Sequence, residues 1–131
     1  MSSLVVRIPM KTVNELNIHA HWRGRQKRAK AQRGMTAFHL RYEVVDKTLY
    51  KRKPGALPEL PVDVHLTRGS AGELDSHDGL PASMKAVADG VADVYQIQDR
   101  DPRIRFRYAQ EKCPRGEYYV EIRITAQRGA A

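Results

Sequence analysis

The stretch from Val62 to Ala109, VDVHLTRGSAGELDSHDGLPASMKAVADGVADVYQIQDRDPRIRFRYA, decides how the chain folds. Its first six residues, Val62–Thr67, alternate apolar and polar, the period of a strand with one buried face. A polar loop, RGSAGELDSHDGL, follows. A helix is expected from about Pro81, because the fixed φ and missing N–H of proline suit a first helical turn. Met84, Val87, Ala88, Val91 and Val94 recur at helical spacing and give that helix an inward stripe, while Lys85, Asp89 and Asp93 share another face at i, i+4 and i+8. Pro102 prevents the helix from continuing. Residues 104–109, IRFRYA, alternate again as a strand. Strand, helix and strand within fifty residues predict a sheet with a helix packed on it.

Working outward, Leu4–Pro9 (LVVRIP) reads as a short strand rich in β-branched residues. A polar stretch with Asn14, His19, His21 and Trp22 follows. From about Arg25 to Lys51 the spacing of Met35, Phe38, Tyr42, Val45 and Leu49 predicts a second helix with Tyr42 in the core, and Gly34 is a candidate for its true start. Pro54, Gly55, Pro58 and Pro61 form a turn-rich connector. Tyr118–Thr125 (YYVEIRIT) reads as a last strand, and the link QEKCPRGE has Pro and Gly where a hairpin loop wants them. The expected order is β-α-β-α-β-β. This is an α+β (mixed α/β) fold, with one small mixed or antiparallel sheet of about four strands and two helices packed on it, in a single domain over residues 1–131.

The composition agrees with one such domain. At 131 residues and 41% hydrophobic, the chain is long and apolar enough to build a core without staples. No apolar run approaches the roughly 20 residues of a membrane-spanning helix. The start, MSSLVVRIPMK, lacks the pattern of a signal peptide. The single cysteine, Cys113, excludes an internal disulfide. A reduced, cytoplasmic protein is the expectation.

The formal charge is +8 and unevenly spread. Residues 22–53 hold eleven Lys or Arg against Glu43 and Asp46, whereas residues 73–101 hold seven acids against Lys85 and Arg100. A basic chain with a concentrated acidic segment suggests a polyanionic partner, nucleic acid in the first place. Basic groups would hold phosphates and carboxylates would hold a divalent cation. A solvated acidic helix face is the competing reading. The acids sit in the loop before the second helix, on it, and in the loop after it. Asp75, Asp78 and Asp99 can therefore meet at one end of the sheet, where oxygen donors suit magnesium. Lys85 has two readings as well, an i, i+4 ion pair with Asp89 or a cation aimed at a phosphate that gains charge during reaction. A zinc site from His19, His21 and His77 or Cys113 lacks paired-Cys or His-x3-His support. No GxxxxGK[ST] loop supports a nucleotide cofactor.

The pattern Asp75-x-x-Asp78, Lys85, Asp89 and Asp99 resembles the RusA family of Holliday-junction resolvases. That family carries an Asp-x-Asp-Asn motif, a lysine on the following helix, an aspartate four residues later and another after the helix. The segment LDSHDGLPASMKAVADGVAD, the later DPR and AQEK, and the earlier VNELNIHAHWRGRQKRAK are most similar to its phage and prophage branch. The resemblance covers roughly residues 4–124. It departs at Gly79, where the family has Asn, and in a longer spacing between Asp78 and Lys85. The resemblance implies a magnesium-dependent endodeoxyribonuclease, with Mn2+ as substitute, that resolves branched DNA as a homodimer by paired phosphodiester hydrolysis. It implies Asp75, Asp78 and Asp99 as metal ligands, Lys85 as the catalytic lysine, and Asp89 as its support. Asn14, His21, Trp22, Arg23, Arg25, Lys27, Arg28 and Lys30 would contact DNA. The rival expectation is a non-catalytic DNA-binding module whose metal site has decayed.

Overall fold

The computed structural model describes residues 3–13, 22–53, 55–74 and 77–127, with Trp22 in its backbone only. Asn14, His19, His21, Asp75 and the Trp22 side chain, all singled out above, lie outside the described residues. The elements are β1 (Ser3–Ile8), α1 (Trp22–Arg41), β2 (Tyr42–Val45), β3 (Thr48–Lys51), β4 (Val62–Ser70), α2 (Gly79–Ser83), α3 (Lys85–Tyr95), β5 (Ile104–Lys112) and β6 (Tyr119–Ala126). This is a mixed α/β architecture. A four-stranded sheet has the order β1-β6-β4-β5, and β2 with β3 forms a separate two-stranded sheet.

The alternation read from Val62 onward sorts the sheet into two faces. Val62, Val64 and Leu66 of β4, Val120, Ile122 and Ile124 of β6, and Val6 and Ile8 of β1 form one buried face. Onto it pack Leu80 of α2, Met84 between the two short helices, and Val87, Ala88 and Val91 of α3, which is the stripe expected from spacing. The other face is polar. Arg105 pairs there with Asp63 at 2.9 Å, and Arg7 with Glu121 at 3.2 Å.

Three expectations are corrected. The segment 25–51 is not one helix. α1 spans Trp22–Arg41 and passes through Gly34, and the chain then turns into the β2–β3 hairpin at Asp46 and Lys47, both at positive φ (49° and 64°). The proposed stripe does not face the core: Met35, Phe38, Val45 and Leu49 are exposed and Tyr42 is half-buried. The helix instead buries Gln32, Thr36, Ala37 and Leu40. Nor do β5 and β6 form a hairpin. β4 lies between them, parallel to β5 and antiparallel to β6. The link from β5 steps around the end of β4, where the Cys113 N–H donates to the Ser70 carbonyl at 3.0 Å. Gly69 permits the crossing, since a Cβ there would stand 2.1 Å from the Tyr119 ring.

Candidate functional site

α3 carries the centre of the site. Lys85 is its first residue, where the helix dipole disfavours a cation. Its orientation toward Asp89, cation before anion, is also the weaker sense for an i, i+4 pair. Two carboxylates nevertheless hold it: Nζ donates to Asp89 Oδ1 at 2.9 Å and to Asp99 Oδ2 at 2.5 Å. Asp99 comes from the loop after α3, so the lysine closes the loop back onto the start of the helix. Burial lowers the Lys85 pKa, but the bonds to Asp99 and Asp89 outweigh it and the net shift is upward. Asp99 in turn is held below its ordinary value by Lys85. The ion-pair reading of Lys85 is thus present in the geometry, with a second acceptor that spacing did not reveal.

The remaining acids of this segment divide by what they touch. Asp93 accepts two bonds from the Arg33 guanidinium, at 2.5 and 2.6 Å, which ties α3 to α1 and lowers the Asp93 pKa. The helices cross closely at that point: a Cβ on Gly90 would stand 2.7 Å from the Arg33 carbonyl oxygen. Asp101 belongs to a turn. Its carboxylate takes the Arg103 guanidinium and the Arg103 backbone N–H, which hold it down at about 2. Asp78 precedes α2 at the N-cap position, yet its side chain makes no capping bond. It is exposed.

The approach to Asp75 is anchored although Asp75 itself lies outside the described residues. Gln110 of β5 brackets Leu74, accepting from its N–H at 2.9 Å and donating to its carbonyl at 2.7 Å. Arg68 of β4 is buried and, among the described residues, has no carboxylate partner. Its guanidinium donates to the Gly72 carbonyl (2.7 Å), the Thr12 hydroxyl (3.1 Å) and the Thr12 carbonyl (3.2 Å). One side chain therefore fixes both the loop entering Asp75 and the segment entering residue 14.

The basic half of α1 borders the same region. Arg25, Gln26, Ala29 and Gln32 line one side of a groove of about 400 Å³, and Ala82, Ser83, Lys85, Ala86 and Asp89 line the other. Arg23, Arg25, Lys27 and Lys30 are exposed and Arg28 is half-buried. No acid occupies the first turn of α1. Its dipole and its cations therefore add to one positive potential, which costs the isolated helix stability and favours an anion.

Among the described residues, no three His, Cys, Asp or Glu side chains stand close enough together to hold a metal ion. The donors that sequence points to, Asp75, Asp78 and Asp99, offer carboxylate oxygens only, which is the chemistry a hard cation requires. Arg33, Arg68 and Gln110 were not anticipated, and Asp93, read with Lys85 and Asp89 as one helix face, gave no sign of its partner, because these contacts reach other elements and no spacing within one segment reveals them. Also, among the described residues, no helix is long and apolar enough to cross a membrane. The sequence matches no protein-family model, and no curated protein matches it.

Proposed function

We propose that this protein is a metal-dependent endodeoxyribonuclease that cuts branched DNA, in the manner of the RusA-type Holliday-junction resolvases its motif resembles. The observation that carries the reading is the shared groove: Arg25 of the basic helix lines one wall, and Lys85 with Asp89 lines the other. A surface that binds phosphates without reading bases thus runs directly into a lysine flanked by carboxylates.

In this reading Asp75, Asp78 and Asp99 hold magnesium or manganese. The bound ion supplies an activated water and charge neutralisation at the phosphate. Lys85, as an ammonium, presents Nζ to the scissile phosphate. Asp89, which accepts from Nζ at 2.9 Å, would orient that ammonium, and Asp99 would be shared between Lys85 and the metal site. Gln110 and Arg68 hold Leu74 and Gly72, the described residues that lead toward Asp75. Arg23, Arg25, Lys27, Arg28 and Lys30 supply affinity. A two-fold homodimer would present two such sites to a junction of matching symmetry.

Incubation of a fixed four-way junction and a matched linear duplex with Mg2+, Mn2+ or EDTA tests this. Paired symmetric nicks on the junction are expected, abolished by EDTA and by Asp75→Asn. Lys85→Ala is expected to lower the cleavage rate by at least a hundredfold while junction affinity stays within a few-fold, as for loss of a group acting on the transition state. Junction binding without cleavage under either metal would show a non-catalytic binding module. Gly79, at the position of the family Asn, favours that second reading, and Gly79→Asn would then test whether activity returns.

A further inference from the structure

The sheet face turned away from the helices carries a row of basic side chains. Register sets Val5 of β1 beside Arg123 of β6, Arg123 beside His65 of β4, and His65 beside Arg107 of β5. All four are exposed, since their neighbours along each strand, Val6, Ile122, Val64 and Leu66 among them, take the buried face. The flanking rows are neutralised. Two residues along the strands in one direction Arg7 pairs with Glu121, and in the other Arg105 pairs with Asp63. Among the described residues, no carboxylate pairs with Arg107 or Arg123 in the same way. Like charges set side by side across strands oppose folding, so an unneutralised row between two neutralised ones calls for a use.

We infer that this row is a docking site for an extended, acidic segment of a partner protein. The chemistry of the row fits carboxylates. A guanidinium presents a planar fork that takes a carboxylate through two parallel bonds, and His65 offers a ring N–H between the two forks. Adjacent strands lie about 4.8 Å apart, which puts Arg123 and Arg107 about 10 Å from one another. Three residues of extended chain, at about 3.3 Å each, span that distance.

Three observations favour a peptide over a nucleic acid. The first is the narrowness of the row. Glu121 and Asp63 stand two residues to either side, about 7 Å along the strands, so a single extended chain lies between them. A duplex, with a phosphate for about every 1.7 Å of its axis, would bring negative charge over both carboxylates. The second is Val5, 48% exposed at the end of the row. It suits an apolar side chain of a peptide and offers nothing to a phosphate. The third is the side of the sheet. The groove of Arg25, Lys85 and Asp89 belongs to the helices, which lie on the opposite face, so an anion held there leaves the row open.

Fluorescence anisotropy of a labelled peptide, five glutamates ending in phenylalanine, tests the inference on the full chain. Neither metal nor cleavage enters, so the outcome is separate from the fate of the nuclease reading. The wild type is expected to bind with a Kd of about 10–100 μM at low salt, and not to bind the glutamine counterpart. Arg107→Gln combined with Arg123→Gln is expected to raise that Kd at least about tenfold, with junction affinity unchanged within about twofold. Both positions are exposed, and an unchanged far-UV circular dichroism spectrum checks that the double variant is folded. Lys27→Ala combined with Lys30→Ala is expected to leave the peptide Kd within about twofold, which separates docking from general attraction to a basic chain. A wild type that does not bind the peptide overturns the inference. So does peptide binding that survives in the double variant. A double variant whose junction affinity falls as far as its peptide affinity assigns the row to DNA and overturns it as well.

Discussion

Arg33 and Asp93 illustrate how a single side-chain pair sets the relation between two helices, the basic α1 and the acid-bearing α3. The two-pronged contact closes at 2.5 and 2.6 Å, with both groups partly open to solvent. A pair so exposed is worth about 1 kcal/mol or less. The pKa of Asp93 is depressed in the folded state, so the pair stabilises the fold above the ordinary carboxylate value of about 4 and loses that contribution as pH falls through the lowered value. Arg33→Met is accordingly expected to cost up to about 1 kcal/mol at pH 6, and less at pH 2, below the ordinary carboxylate value. Urea denaturation at both pH values checks this, and carboxyl-carbon NMR should find Asp93 titrating at higher pH in the variant. Other residues show how spacing reads one element and not its neighbours. Lys85 and Asp89 lie on one helix and were visible in sequence. Asp99 was visible as an acid after the helix. The Arg33 contact, the Gln110 bracket on Leu74 and the two bonds from Arg68 to Thr12 join residues 36 to 60 positions apart. Nothing local encodes them.

Elements differ in how far their periods identify them. The stripe of α3 is unambiguous, since Met84, Val87, Ala88 and Val91 recur over two turns and no strand period fits them. The segment after α1 is ambiguous, because Tyr42, Val45 and Leu49 continue the 3–4 spacing of Met35 and Phe38 by coincidence. Composition holds the missing signal: Tyr42, Val44, Val45, Thr48 and Tyr50 favour strands, and Asp46-Lys47 falls between them as a two-residue turn. Both turn residues adopt positive φ, which an ordinary side chain disfavours by about 1 kcal/mol or more. Replacing Asp46-Lys47 by Asn-Gly is therefore expected to stabilise the protein by about 1 kcal/mol without altering junction binding. Thermal melting and a binding titration are the checks. The false β5–β6 hairpin has another origin. An eight-residue link fits a direct return equally well, and only the insertion of β4 between the two strands excludes it.

For the whole molecule, the charge partition is the feature that sequence read best, because it needs no knowledge of pairing. It also gives the most general prediction. If the basic half of α1 tracks phosphates, affinity should fall linearly in log–log terms with salt, and Lys27→Ala with Lys30→Ala should reduce the slope by about 2 while leaving the cutting pattern unchanged. A fluorescence titration of a labelled junction at several salt concentrations measures it. An unchanged slope would place the phosphates elsewhere.

The order of the strands also bears on how the chain comes to be folded. Among the described residues β1 pairs with β6 alone, and β6 also covers β4, so β1 has no strand neighbour until the much later β6 has been made. β4, the crossover helices and β5 can associate earlier, since they are consecutive. Until β6 is made, the apolar side chains of β1 and one edge of β4 stay uncovered, a state open to wrong pairing. Ser3 and Thr125 end as direct partners. A permuted gene that joins these two strands by a short loop, and opens the chain at Asp46-Lys47, would let them form together and should shorten that vulnerable interval.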